Sequence, residues 1–255
     1  HDIDLYQANY LKKAEPIDWV RKLQPDLLVL GFVTAFVPQE MIDLAKFGGI
    51  NYHPSLLPKY RGGSAINWAI INGETETGVT IHFIDDGVDT GPILLQEKVA
   101  ITPDDTVKSV YFNKLYPLGI EMIAEAVKQI REGRANPITQ DESSASFQPV
   151  ITAADTLIDW TQPTQQVYNL VRGSNPSPGA LTSFSGQQLK IFDAARTPET
   201  GKPGTVLAVG DEGFSVATAD GAVRILSVQP AGSKKLPALE FCKATGLKTG
   251  DPLGS

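Results

Sequence analysis

The chain has 255 residues, of which 42% are hydrophobic and 20% charged, enough apolar material for two modest cores and too much for a disordered polypeptide. Its apolar run LLVLGFVTAFV stops well short of the roughly 20 residues that span a bilayer, so no membrane partner is expected. A net charge of −7 argues against a uniformly basic nucleic-acid-binding face, although from Val150 onward nine Lys plus Arg balance nine Asp plus Glu, leaving Lys234 with Lys235 and Lys243 with Lys248 as candidate basic patches.

In chain order, apolar spacing at Ile17, Val20 and Leu23 predicts a helix from Pro16 to Gln24. Pro25-Asp26 ends it, and the continuous apolar run Leu27 to Val33 then reads as a buried parallel strand. A short helix is expected over Pro38 to Leu44, a turn at Gly48-Gly49, and a second strand over Ile50 to His53. Two prolines and two glycines make Pro54 to Gly63 a rigid loop. Ser64 to Asn72 has helical spacing. Gly78 to Ile84 alternates as a strand, with Thr80, His82 and Ile84 on the face opposite Val79, Ile81 and Phe83. Thr106 to Ile130 predicts an amphipathic helix interrupted at Pro117 and stopped near Gly133. The polar, serine-rich stretch from Ala135 to Pro149 is the best linker candidate. Beyond it, a helix over Thr164 to Arg172 precedes short strands at Leu181 to Phe184, Leu189 to Ala194, Gly204 to Val209, Gly213 to Thr218 and Val223 to Val228, a pattern that suggests a small barrel. The lone Cys242 cannot form an internal disulfide, and no charged-then-apolar leader opens the chain, so a reducing cytoplasm is expected.

The chemistry concentrates between Ile50 and Gly91. Side chains two apart in a strand share a face, so Asn51 and His53 point together while Tyr52 faces the opposite layer as core. An amide, an imidazole and the carboxylate of Asp89 can stabilise an oxyanion and move a proton, which is equipment for acyl transfer. Isolated Asn-x-His triplets also occur as surface polar pairs. His82, inside an alternating strand, reads as a hydrogen-bonded structural histidine. Asp85, Asp86 and Asp89 around Gly87 lack the spacing and closing glutamate of a calcium loop, so no metal is expected.

The sequence INYHPSLLP followed by DTGP resembles the folate-dependent formyltransferase family. The resemblance extends over LLVLGFV, DDGVDTGPILLQ, IDWTQPTQQVYNLVRGSNPSPGALT and LKTGDPLG, nearly the whole chain. It implies a Rossmann-like α/β catalytic domain with a mostly parallel sheet over residues 1–140, a linker over 141–149 and an OB-like β-barrel over 150–255. A first βαβ unit of the family has no counterpart here, so the catalytic domain is expected to begin before His1, while LKTGDPLG suggests that no further domain follows. The resemblance assigns catalysis to Asn51, His53 and Asp89: the first two donate to the oxygen of the attacked carbon, and Asp89 polarises His53, raises its pKa and helps remove a proton. It places 10-formyltetrahydrofolate, the formyl donor, against Thr34 and Phe36, the loop of Ser55, Leu56, Leu57 and Pro58, and the segment Ile84, Asp85, Asp86 and Gly87. Arg61 matches the family's Tyr-Arg-Gly and reads equally as a loop-structural residue.

The implied acceptor is an amine. The IDW segment and the tail resemble family members that act on initiator methionyl-tRNA; an amino sugar nucleotide is the alternative amine. SAINW and DDGVDTGPILLQ resemble the hydrolase domain of 10-formyltetrahydrofolate dehydrogenase, in which water replaces the amine, but that pattern carries an aliphatic residue where this chain has Asn51. A folate-binding protein without turnover is the non-enzymatic reading.

Overall fold

The structure is a computed structural model that describes residues 3–33 and 35–254. Its elements in chain order are α1 (Ala14–Leu23), β1 (Leu28–Leu30), α2 (Gln39–Ile42), β2 (Gly49–His53), β3 (Arg61–Gly62), α3 (Ala65–Ile71), β4 (Glu76–Phe83), β5 (Ile93–Ala100), α4 (Val107–Val110) and α5 (Tyr116–Arg131). There follow β6 (Phe147–Gln148), α6 (Thr164–Gly173), β7 (Ala180–Phe184), β8 (Gln187–Thr197), β9 (Val206–Gly210), β10 (Gly213–Ala217), β11 (Ala222–Pro230), β12 (Leu236–Pro237) and α7 (Ala238–Thr245). The chain divides into two compact units, one from segments 1–65, 77–99 and 114–149, the other from 66–76, 100–113 and 150–255.

The first unit carries a four-stranded sheet in the order β1-β2-β4-β5. β1 and β2 are parallel, as in a Rossmann-like α/β layer, and β2 pairs antiparallel with β4. Register places Leu30 opposite Asn51, Asn51 opposite His82, and His53 opposite Thr80. The alternation of β2 sends Ile50 and Tyr52 into core packing, and Gly119 of α5 lies so close to the Tyr52 ring that a Cβ there would collide with it. Pro117 sits in the first turn of α5, directly after the wide, π-helical turn Tyr111–Leu115. The run expected as a buried strand is an edge strand, with Val29 42% exposed.

The second unit is an antiparallel sheet in the order β7-β8-β11-β10-β9, with β12 on β11, in line with the OB-like expectation. Leu189, Ile191, Phe214, Ile225 and Val228 fill its core with Val167 and Val171 of α6 and Phe241 of α7; each such side chain contributes about 1.5–3 kcal/mol on burial. Among the described residues no helix is long and apolar enough to cross a membrane.

Candidate active site

Three polar side chains share one face of the β2–β4 pair because the register aligns them: Asn51 and His53 are two apart on β2, and His82 lies opposite Asn51 on β4. His53 and His82 are 4% and 3% exposed. Asp89 reaches this face from the turn between β4 and β5 and holds a left-handed backbone, φ 56°. Its Oδ1 accepts from Asn51 Nδ2 at 3.3 Å and lies 3.5 Å from His82 Nε2. Its Oδ2 accepts the Gly62 amide at 2.8 Å and lies 3.4 Å from His53 Nδ1.

The carbonyl partners fix which ring nitrogens carry hydrogen, because a carbonyl only accepts. His53 Nε2 donates to the Tyr60 carbonyl at 2.7 Å, leaving Nδ1 as the nitrogen that faces Asp89. His82 Nδ1 donates to the Phe83 carbonyl at 2.8 Å, and its Nε2 accepts from Asn51 Nδ2 at 3.2 Å. The Asn51 amide is thus oriented by one histidine and one carboxylate.

Burial pushes the His53 pKa down; Asp89 and the Tyr60 carbonyl push it up without overcoming burial, so it lies below the usual imidazole value. Asp89 does raise it, as expected, but the charged form is not favoured on balance, because desolvation of the buried ring outweighs one carboxylate. For Asp89, burial pushes upward, but the adjacent His82 and His53 imidazoles and the Gly62 amide together hold the carboxyl below its ordinary value. The pair is an ionised carboxylate facing an imidazole nitrogen with a free lone pair, an arrangement that accepts a proton at Nδ1 and stabilises the resulting charge. A cavity of about 300 Å³ beside the Asp89 turn is lined by Arg61, Val88, Thr90, Ala145, Ser146 and Phe147.

The residues expected around the donor differ in their exposure. Ser55 is buried with its hydroxyl on the Lys59 carbonyl, and Leu57 is core. Leu56 packs on Gly78 and Pro58 is half-buried. Ser55 and Leu57 therefore brace the loop from inside, Thr80 Oγ1 donating to the Ser55 carbonyl at 2.7 Å. Ile84 is half-buried and packs against Gly49. Asp85, Asp86 and Gly87 are exposed, with the Asp85 carboxylate turned inward onto Thr90 Oγ1 and the Gly87 amide. Phe36 is 60% exposed, and Thr34 lies outside the described residues. His82 and the Gly62 amide are the contacts that sequence reasoning missed; the polar alternation of β4 put His82 on the correct face, but only the strand register sets it against Asn51. Among the described residues no group of three or more His, Cys, Asp or Glu is placed to hold a metal ion.

The formyl transferase family model matches residues 2–127, and the formyl transferase C-terminal domain model matches residues 150–246. The chain is 41% identical over 254 residues to the methionyl-tRNA formyltransferase of Geobacter sulfurreducens, spanning all of this chain and 80% of that protein. Among solved structures, HypX from Aquifex aeolicus in complex with tetrahydrofolic acid superposes with a TM-score of 0.75 at 28% identity, over 91% of this chain and 42% of HypX. The N-formyltransferase of Helicobacter canadensis, crystallised with folinic acid and dTDP-3-aminofucose, gives a TM-score of 0.59 at 26% identity, over 76% of this chain and 69% of that one. The chain belongs to the formyl transferase family and is a formyl-transferring enzyme.

Proposed function

We propose that this chain moves the formyl group of 10-formyltetrahydrofolate to the α-amino group of methionyl-tRNA in the cytoplasm, with Asn51, His53 and Asp89 as its catalytic residues. The observation that carries the reading is the buried imidazole of His53 with Nδ1 turned to the Asp89 carboxylate at 3.4 Å. Attack of an amine on the formyl carbon puts negative charge on the carbonyl oxygen and leaves the nitrogen with a proton to lose. Asn51, whose two amide hydrogens rest on His82 Nε2 and Asp89 Oδ1, exchanges one of those partners for that oxygen, a contribution typically of about 3 kcal/mol. His53 takes the amine proton at Nδ1 beside Asp89 and returns it to N10 of tetrahydrofolate as the carbon–N10 bond breaks. Because Nε2–H is held by Tyr60, His53 is assigned to proton transfer rather than to the oxyanion. Catalysis belongs in this reading to residues 1–140, joined through 141–149 to the OB-like domain at 150–255.

The name of the Geobacter relative supports methionyl-tRNA as acceptor, and the ligands named with the HypX and Helicobacter structures support a folate donor. The test incubates the protein with 10-formyltetrahydrofolate alone, with methionyl-tRNA, and with a dTDP-amino sugar, following tetrahydrofolate release. Release that depends on methionyl-tRNA is expected. Release without any acceptor, accompanied by formate, overturns the reading in favour of hydrolysis, and dependence on the sugar transfers it to an amino sugar acceptor.

A further inference from the structure

We propose that Gln140 is a positioning residue that sets the attitude of the Asp89 carboxylate, and that Arg61 acts on Asp89 through it. The inference rests on the proton-handling role given above to Asp89. Asp89 holds a left-handed backbone at φ 56°, a conformation that aspartate tolerates better than most residues and that fixes the direction in which its carbonyl and carboxylate point. Gln140 is 6% exposed. Its Nε2 donates to the Asp89 carbonyl at 2.8 Å and to the Gly91 carbonyl at 2.7 Å. Its Oε1 accepts from Arg61 Nε at 3.1 Å and from Arg61 Nη2 at 2.8 Å. The amide has only one workable orientation, since the reverse would set its hydrogens against a guanidinium and its oxygen against two carbonyls.

Arg61, itself 6% exposed, is fixed from its other side by the Glu142 carboxylate at 2.9 and 2.6 Å. The segment carrying Gln140 is anchored on both flanks. Ile138 and Ile93 exchange backbone hydrogen bonds at 2.8 Å, while the Arg61 amide donates to the Ser146 carbonyl at 2.9 Å and β6 pairs with β3. The same β3 supplies the Gly62 amide to Asp89 Oδ2. Gln140 thus grips the backbone of the turn while Gly62, the chain neighbour of its partner Arg61, grips the carboxylate, and among the described residues no hydrogen bond joins Gln140 or Arg61 to His53 or Asn51. Without the Gln140 amide, two inward carbonyls lose their donors, the turn relaxes, and Oδ2 moves off His53 Nδ1.

The test compares Gln140→Leu, which removes both polar ends, with Gln140→Glu, which keeps an acceptor for Arg61 and removes the donors. In each variant kcat is expected to fall roughly ten- to a hundredfold, the penalty of a misplaced group, with the KM for the folate donor held within about threefold. The acid limb of the kcat profile, set by protonation of His53, moves to lower pH as the Asp89 carboxylate that supports its charged form is drawn away, and amide hydrogen exchange of residues 85–91 accelerates. A folded variant of either kind with parental kcat, acid limb and loop exchange overturns the proposal; loss of fold in both variants overturns it in favour of a purely structural role. Should the parent transfer no formyl group, the functional reading fails, while loop exchange still decides whether Gln140 holds the turn.

Discussion

Asp89→Asn removes one charge and almost no volume. The replacement amide oxygen can still accept from the Gly62 N–H that Oδ2 now holds at 2.8 Å, so the turn is expected to survive. What disappears is the charge 3.4 Å from His53 Nδ1, between side chains only 5% and 13% exposed. At that separation and an effective dielectric of ~20, an imidazolium–carboxylate pair is worth ~5 kcal/mol, or roughly 10³- to 10⁴-fold in a step that puts a proton on His53. Water reaching the partly open side of Asp89 reduces the figure, so kcat is expected to fall about 10²- to 10⁴-fold, within the span of general acid–base catalysis. Donor affinity, measured by equilibrium titration with a folate analogue, is expected to stay within about threefold. The assay is rapid-quench formyl transfer with saturating acceptor, alongside circular dichroism to establish folding. A folded variant whose kcat remains within tenfold of the parent refutes the role given to Asp89.

Asn51→Ala removes the proposed oxyanion donor and is expected to lower kcat by about 10²- to 10³-fold; a steady-state kcat equal to the parent contradicts that role. His82→Leu deletes the acceptor that orients the Asn51 amide at 3.2 Å, and the loss of one such bond, about 1 kcal/mol, predicts a kcat reduced several-fold to tenfold, with no reduction as the opposing result. Burial holds His53 below its ordinary pKa of about 6.5, so on acidification the unfolded chain takes up a proton before the folded one does. The His53 contribution to stability is therefore complete above pH ~6.5 and is lost as pH falls below it. Urea unfolding between pH 5 and 8 should show that loss in the parent and a flatter profile in His53→Gln; equal profiles exclude His53 as the cause.

The alternation of β2 and β4 was readable because each has one apolar and one polar face: it put Asn51 and His53 on one side of β2 and His82 on the Thr80 face of β4, while only the strand register joins the two. The glycine-punctuated strands of the second unit were readable for the same reason. β5 was not, since Gln96, Glu97 and Lys98 are exposed on an edge strand and break the apolar pattern. α7 escaped because its buried positions, Ala238, Phe241 and Cys242, span barely one turn. The pairing of His82 with Asn51 joins residues 31 apart, and Gln140 reaches carbonyls 51 and 49 residues away; no local pattern encodes such distances. The segment whose composition suggested a linker holds Ser146, which receives the Tyr60 amide at 2.8 Å, because serines that solvate a loop serve equally well to tie one down. The inward turn of Ser55 and Leu57 was hidden similarly, as the chain after β2 folds back on Thr80 rather than continuing along the sheet.

The most direct measurement is a single-turnover reaction with 10-formyltetrahydrofolate labelled in the formyl carbon, partitioned between methionyl-tRNA and free formate. Label recovered as formylmethionine on the tRNA, in an amount equal to the tetrahydrofolate formed, is the result predicted. Tetrahydrofolate formed with the label in formate and none on the tRNA would contradict transfer to this acceptor.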